Sequence, residues 1–102
     1  MTIGGKIRHL RTQAGMKQSE MASLLDVTVS YLSQIERGRN PGVAFVRRFS
    51  EHFAIPTGYF FLDPSEQWKG AKKDAETWKT IHRLMNELFS RRVQSVAKTR
   101  HT

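Results

Sequence analysis

The sequence contains no cysteine, which excludes disulfides, cysteine zinc sites, iron–sulfur clusters and thiol catalysis. No apolar run approaches 18 residues, and the opening segment MTIGGKIRHL lacks an apolar signal-peptide stretch, so neither secretion nor membrane spanning is expected. There is no internal repeat, no low-complexity tract and no polar–apolar alternation of the kind that marks a half-buried strand. Acidic residues are few, 9 Asp and Glu against 17 Lys and Arg, which leaves a formal net charge of +8 on 102 residues. The hydrophobic share of 38% is that of a globular chain and too high for a disordered one. A small, basic, soluble intracellular protein is therefore expected, and its charge favours a polyanion partner, nucleic acid first. The excess is not a basic tail on a neutral domain, because residues 1–62 and 63–102 each carry a net charge of +4.

Apolar spacing is helical almost throughout, and breakers divide the chain into short pieces. Ile3, Ile7, Leu10 and Ala14 form one face of a first helix, with Thr2 as its N-cap and Gly15 as its stop. A second helix covers residues 18–25, with Met21, Leu24 and Leu25 inward, and ends at Asp26, which tolerates a left-handed backbone. A third covers residues 29–37. Thr28 is its N-cap, Val27 and Leu32 are spaced as a hydrophobic staple, and Gly38 follows its end. A fourth runs over residues 43–53 with Val46, Phe49 and Phe53 on one face, and residues 57–62 read as a short aromatic fifth. Asp63-Pro64-Ser65-Glu66 is a helix-start signal. It opens an amphipathic segment over residues 63–92, followed by a basic flexible tail over 93–102.

The second and third pieces carry the functional information. Two short helices joined by a tight turn make a helix-turn-helix. Ala22 is small enough for the helix crossing, Val27 plugs the angle, and Leu32 and Ile35 anchor the second helix while its other face stays free for a major groove. The segment QSEMASLLDVTVSYLSQIERG, residues 18–38, resembles the helix-turn-helix of the phage repressor/Cro family, the XRE family. The resemblance spans residues 3–62 and includes the Ile35-Glu36-Arg37-Gly38 ending, the Asn40-Pro41 loop and the Ile55-Pro56 junction. It implies an all-α fold: a five-helix DNA-binding domain over residues 1–62, followed here by the amphipathic helix. It also implies a sequence-specific transcriptional regulator, a repressor by default, acting as a homodimer on a two-fold symmetric operator in double-stranded DNA. Its setting would be the cytoplasm of a prokaryotic cell, with the protein encoded by the cell or by a phage. Three positions depart from the family pattern: Lys17 and Gly42 stand where Ser or Thr commonly caps a helix, and Asp26 where the turn commonly has Gly.

The resemblance assigns base reading to Val29, Ser30, Ser33 and Gln34. Val29 suits a thymine methyl, and Gln34 a paired contact to adenine. Phosphate contacts fall to Lys17, Gln18, Tyr31, Arg37, Arg39 and Asn40, with Tyr31 open between a phosphate contact and packing. Arg11 and Glu36 are implied to form a structural ion pair. Lys6, Arg8 and Arg48 are expected to be solvated. His9, His52, His82 and His101 have no metal-ligand spacing, no serine sits in a nucleophile elbow, and no strand precedes Gly4-Gly5, so neither an enzyme, a metal nor a cofactor is expected.

Trp68, Trp78, Ile81, Met85 and Leu88 form a stripe along the segment 63–92, assigned to oligomerisation because an amphipathic helix must cover its apolar face with something. Packing back on the domain and docking a protein partner are the other ways to cover it. An antitoxin or anti-regulator would use the stripe to bind its partner, and a weakly specific nucleoid-associated protein is a third reading.

Overall fold

The computed structural model describes residues 2–62 and 72–100. All regular structure among them is helical. The elements are α1 (Ile3–Gln13), α2 (Gln18–Leu24), α3 (Val29–Glu36), α4 (Val43–Phe53), a 3-10 segment (Thr57–Phe61) and α5 (Lys72–Arg100). The expected fifth helix is thus a single 3-10 stretch. The helix-start signal at Asp63-Pro64-Ser65-Glu66 and the stripe residue Trp68 lie outside the described residues.

Local chemistry accounts for the boundaries. The Thr2 hydroxyl accepts the Gly5 N–H at 2.9 Å and starts α1. Lys17 has no side-chain acceptor to offer α2, but the Glu20 carboxylate three residues on accepts the Lys17 N–H at 3.3 Å. Asp26 takes the left-handed conformation at φ 54° and closes the α2–α3 turn, with the Val27 N–H bonded to the Ala22 carbonyl at 3.0 Å. Thr28 accepts from Tyr31 N–H at 3.0 Å and opens α3.

The core is one cluster. Ile7 and Leu10 of α1, Met21 and Leu25 at α2, and Leu32 and Ile35 of α3 are each fully buried. Phe49 of α4 joins them to the aromatic side, with ring centroids 4.7 Å from Phe53 and 5.3 Å from Phe60. Gly4 lies where α1 crosses the end of α3. A Cβ there would fall 1.7 Å from the Ile35 carbonyl oxygen, so only glycine permits this approach.

One expectation about solvated cations is overturned, and a second cation proves to have a structural partner as well. Lys6 is 1% exposed. Its Nζ donates to the Tyr59 carbonyl at 2.8 Å and to the Leu62 carbonyl, and it lies 4.9 Å from the Tyr59 ring centroid. A lysine inside the core is tolerable because its ammonium is hydrogen-bonded there to two carbonyls at the end of the 3-10 segment. Arg48 is exposed, and its Nη1 donates to the carbonyls of Leu25 at 2.6 Å and Asp26 at 3.3 Å. It thereby ties α4 to the turn between α2 and α3. Arg8 is exposed as expected.

The C-terminal helix requires the larger correction. α5 packs back on the domain against α1 and α4 and continues to Arg100, so the expected flexible tail over residues 93–102 is helical as far as it is described. Phe89, Val93 and Ala97 are buried, and Met85 and Val96 are packed against the core. The Tyr59 hydroxyl donates to Asn86 Oδ1 at 2.5 Å, the Phe89 ring meets Tyr59 edge-on at 4.7 Å, and Arg92 donates to the Ala54 carbonyl. At 100° per residue, the face carrying Met85, Phe89, Val93 and Ala97 is rotated by roughly a quarter turn from the stripe assigned to oligomerisation. Of that stripe, Ile81 and Leu88 stay 43% and 41% exposed, Trp78 is half-buried, and Met85 belongs to the chain's own core.

Candidate nucleic-acid interface

The helix-turn-helix is held from behind by an ion pair. Arg11 of α1 meets Glu36 of α3 in a two-point contact, Nε to Oε2 at 2.7 Å and Nη2 to Oε1 at 2.9 Å. The side chains are 12% and 3% exposed. Arg11 Nη1 also donates to the Met16 carbonyl at 2.8 Å, and Gln18 Nε2 donates to Glu36 Oε1 at 3.1 Å. One carboxylate therefore joins α1, the start of α2 and the end of α3. A paired, multiply bonded carboxylate in this setting fixes geometry more than it adds stability.

Of the four expected base readers, Val29 is 44% exposed and Ser30 is exposed, while Ser33 and Gln34 are half-buried. They lie at the outward beginning and middle of α3. Ser30 and Gln34 are linked, Nε2 to Oγ at 3.4 Å, and Gln34 Oε1 accepts from Arg39 Nη1 at 2.6 Å.

The residues expected at phosphates surround this face. Lys17, Arg37, Arg39 and Asn40 are exposed, and Gln18 is half-buried with its amide on Glu36. The packing alternative left open for Tyr31 is realised. Its ring meets Phe45 edge-on at 5.7 Å, and its hydroxyl accepts the Gly42 N–H at 3.3 Å. That bond serves an N–H at the start of α4, where Gly42 has no side chain to act as cap. The hydroxyl proton remains free to donate.

Sequence reasoning missed three residues that set this geometry. Gly4 carried a weak signal, since it lies on the same helix stripe as Ile7. Lys6 and Arg48 carried none, because a cation that caps distant carbonyls looks no different in sequence from one in solvent. Among the described residues, no group of three or more His, Cys, Asp or Glu could hold a metal ion, and no helix is long and apolar enough to cross a membrane.

The fold and the arrangement of α2 and α3 define the class. The family described as helix-turn-helix matches residues 7–60, and the chain belongs to this XRE-type family. Among curated proteins it is similar to the HTH-type transcriptional regulator RamB of Mycobacterium tuberculosis (strain CDC 1551 / Oshkosh), 36% identical over 59 residues. The match covers 57% of this chain and 12% of that protein. It is 31% identical over 62 residues to an uncharacterized HTH-type transcriptional regulator of Sinorhizobium medicae, covering 60% of this chain and 45% of the relative. PrpR of M. tuberculosis (strain ATCC 25618 / H37Rv), an HTH-type transcriptional regulator, is 33% identical over 61 residues, 59% of this chain and 13% of its own length. The matches thus span less than half the length of each of these relatives. No solved structure matches.

Proposed function

We propose that the protein is a sequence-specific DNA-binding transcriptional regulator, acting as a repressor by occupying a two-fold symmetric operator as a homodimer. Residues 29–37 enter the major groove, where Val29, Ser30, Ser33 and Gln34 read base edges. Lys17, Gln18, Tyr31 (through its hydroxyl proton), Arg37, Arg39 and Asn40 hold the phosphates on either side and set the register. The observation that carries this reading is the exposed start of α3 at Val29 and Ser30, with the helix held from behind by the Arg11–Glu36 pair. Membership of the helix-turn-helix family and the regulator names of the relatives support it. The net charge of +8 supplies steering and salt-dependent affinity, while the readers assigned on α3 are uncharged. Such a protein acts in the cytoplasm, on DNA.

Selection of bound duplexes from a random pool tests this. A two-fold symmetric consensus supports specific, dimeric recognition. A pool without consensus overturns it in favour of nucleoid-type binding. Dimerisation finds support in two exposed apolar patches: Ile81, Leu84 and Leu88 on the outer side of α5, and Val43 with Phe61, 75% and 68% exposed. The α5 patch also suits the second reading, an antitoxin or anti-regulator that docks a protein partner there. Light scattering of the full chain separates them, since a monomer at high concentration removes the homodimer and favours the partner.

A further inference from the structure

The recognition role of α3, on which this inference rests, gave Gln34 an adenine partner and Arg39 a phosphate. The geometry around the two side chains points elsewhere. Arg39 lies beyond the end of α3, yet Gly38 at φ 118° turns the chain back, and the Arg39 N–H bonds to the Gln34 carbonyl at 3.0 Å. The guanidinium then lies over the Tyr31 ring, 4.9 Å from its centroid. Tyr31 is itself anchored by Phe45 and by the Gly42 N–H. From that platform Arg39 Nη1 donates to Gln34 Oε1 at 2.6 Å.

A guanidinium has donors only, so the atom it touches must be the amide oxygen of Gln34. That leaves the amide NH2 as the free end, with one hydrogen directed to Ser30 Oγ at 3.4 Å. Reading adenine by a paired contact takes both ends of the amide, the oxygen for the N6 amino group and the NH2 for N7. Arg39 takes one of that oxygen's two lone pairs, so the acceptor that adenine N6 needs is shared with a cation. Guanine offers only acceptors, N7 and O6, in the major groove. The Ser30 hydroxyl, the remaining Gln34 N–H and the remaining Arg39 N–H groups offer donors.

We propose that Arg39, stacked on Tyr31 and bonded to Gln34, is a specificity-determining residue of the recognition surface. It makes Ser30, Gln34 and Arg39 a donor surface that selects guanine over adenine at the base pair facing Gln34.

The test is selection from a random duplex pool with the full-length wild type, Arg39→Ala and Gln34→Ala, followed by titrations on guanine and adenine versions of the selected site at two salt concentrations. The base pair facing Gln34 is the position whose preference Gln34→Ala abolishes. Guanine is expected there for the wild type. Arg39→Ala frees the amide oxygen and should move the preference to adenine, changing the guanine-to-adenine affinity ratio by about tenfold or more. If Arg39→Ala keeps the wild-type consensus and weakens specific and random DNA by the same factor with a flatter salt dependence, Arg39 is a phosphate contact and the proposal is overturned. Adenine at that position in the wild-type pool also overturns it, while leaving α3 as the recognition helix. If the wild-type pool has no consensus, or Gln34→Ala changes none of it, the assignment of Gln34 as a base reader fails, and this inference fails with it.

Discussion

Replacing Glu36 with alanine tests whether one buried carboxylate holds the DNA-binding unit together. Its side chain is 3% exposed and accepts three hydrogen bonds, two from Arg11 and one from Gln18. Truncation leaves the Arg11 guanidinium, only 12% exposed, with the Met16 carbonyl as its one remaining acceptor among these contacts. Breaking one side of a buried pair costs about 3–5 kcal/mol, because the surviving charge is neither solvated nor paired. A domain of this size has about 5–15 kcal/mol in total, so Glu36→Ala should consume a large fraction of it. The melting temperature should drop by at least about 10 °C. Urea unfolding followed by far-ultraviolet circular dichroism measures the loss. The double variant Arg11→Met with Glu36→Met separates pair from packing: with no charge left to desolvate, it should recover much of the stability. A loss below about 1 kcal/mol for Glu36→Ala would refute the reasoning, since that is how a solvent-screened surface pair behaves.

Gly4→Ala should destabilise by about 1–3 kcal/mol even though alanine favours the helix by up to roughly 1 kcal/mol, because its Cβ would sit 1.7 Å from the Ile35 carbonyl and force α1 off α3. Thermal unfolding of this variant at or above the wild-type midpoint would show that the two helices separate freely. Phe89→Ala should cost about 3–5 kcal/mol if α5 is part of the domain, since the ring is 5% exposed and packs on Tyr59; an unchanged urea midpoint would mark α5 as an appendage. Burial pushes the Tyr59 hydroxyl up to about 12 from its ordinary 10.0. Between those values the unfolded chain has released a proton that the folded chain retains, so stability present below about pH 10 should be lost as pH rises. A urea series up to about pH 11.5 should show this loss in the wild type and less of it in Tyr59→Phe, and identical slopes would contradict it.

Much of the domain was legible in the sequence because its signals are local. Thr2 and Thr28 cap helices with their own side chains, Asp26 supplies a left-handed turn, and the apolar periodicity of α1 to α4 marks the faces that became the core. Each of these depends on residues within a few positions of one another. The outward face of α3 was legible for the same reason, as what remains once Leu32 and Ile35 turn inward.

The errors arose where the partner is distant in sequence. Lys6 finds the carbonyls of Tyr59 and Leu62 across the core, and Arg48 finds Leu25, 23 positions away. The apolar face of α5 is hidden from sequence reasoning because Phe89, Val93 and Ala97 line up only if the helix continues past residue 92, into the span 93–102 whose polar, basic composition reads as a tail. The composition, with no cysteine and nearly twice as many cations as anions, excluded whole classes of chemistry and pointed to a polyanion. The helix pattern and the family's motif then located the recognition surface. What the chain alone did not determine is which charges face solvent, which helix face is covered, and that Arg39 turns back onto Gln34. Those are set by where backbone carbonyls and rings lie in space, and only the folded tertiary structure brings them together.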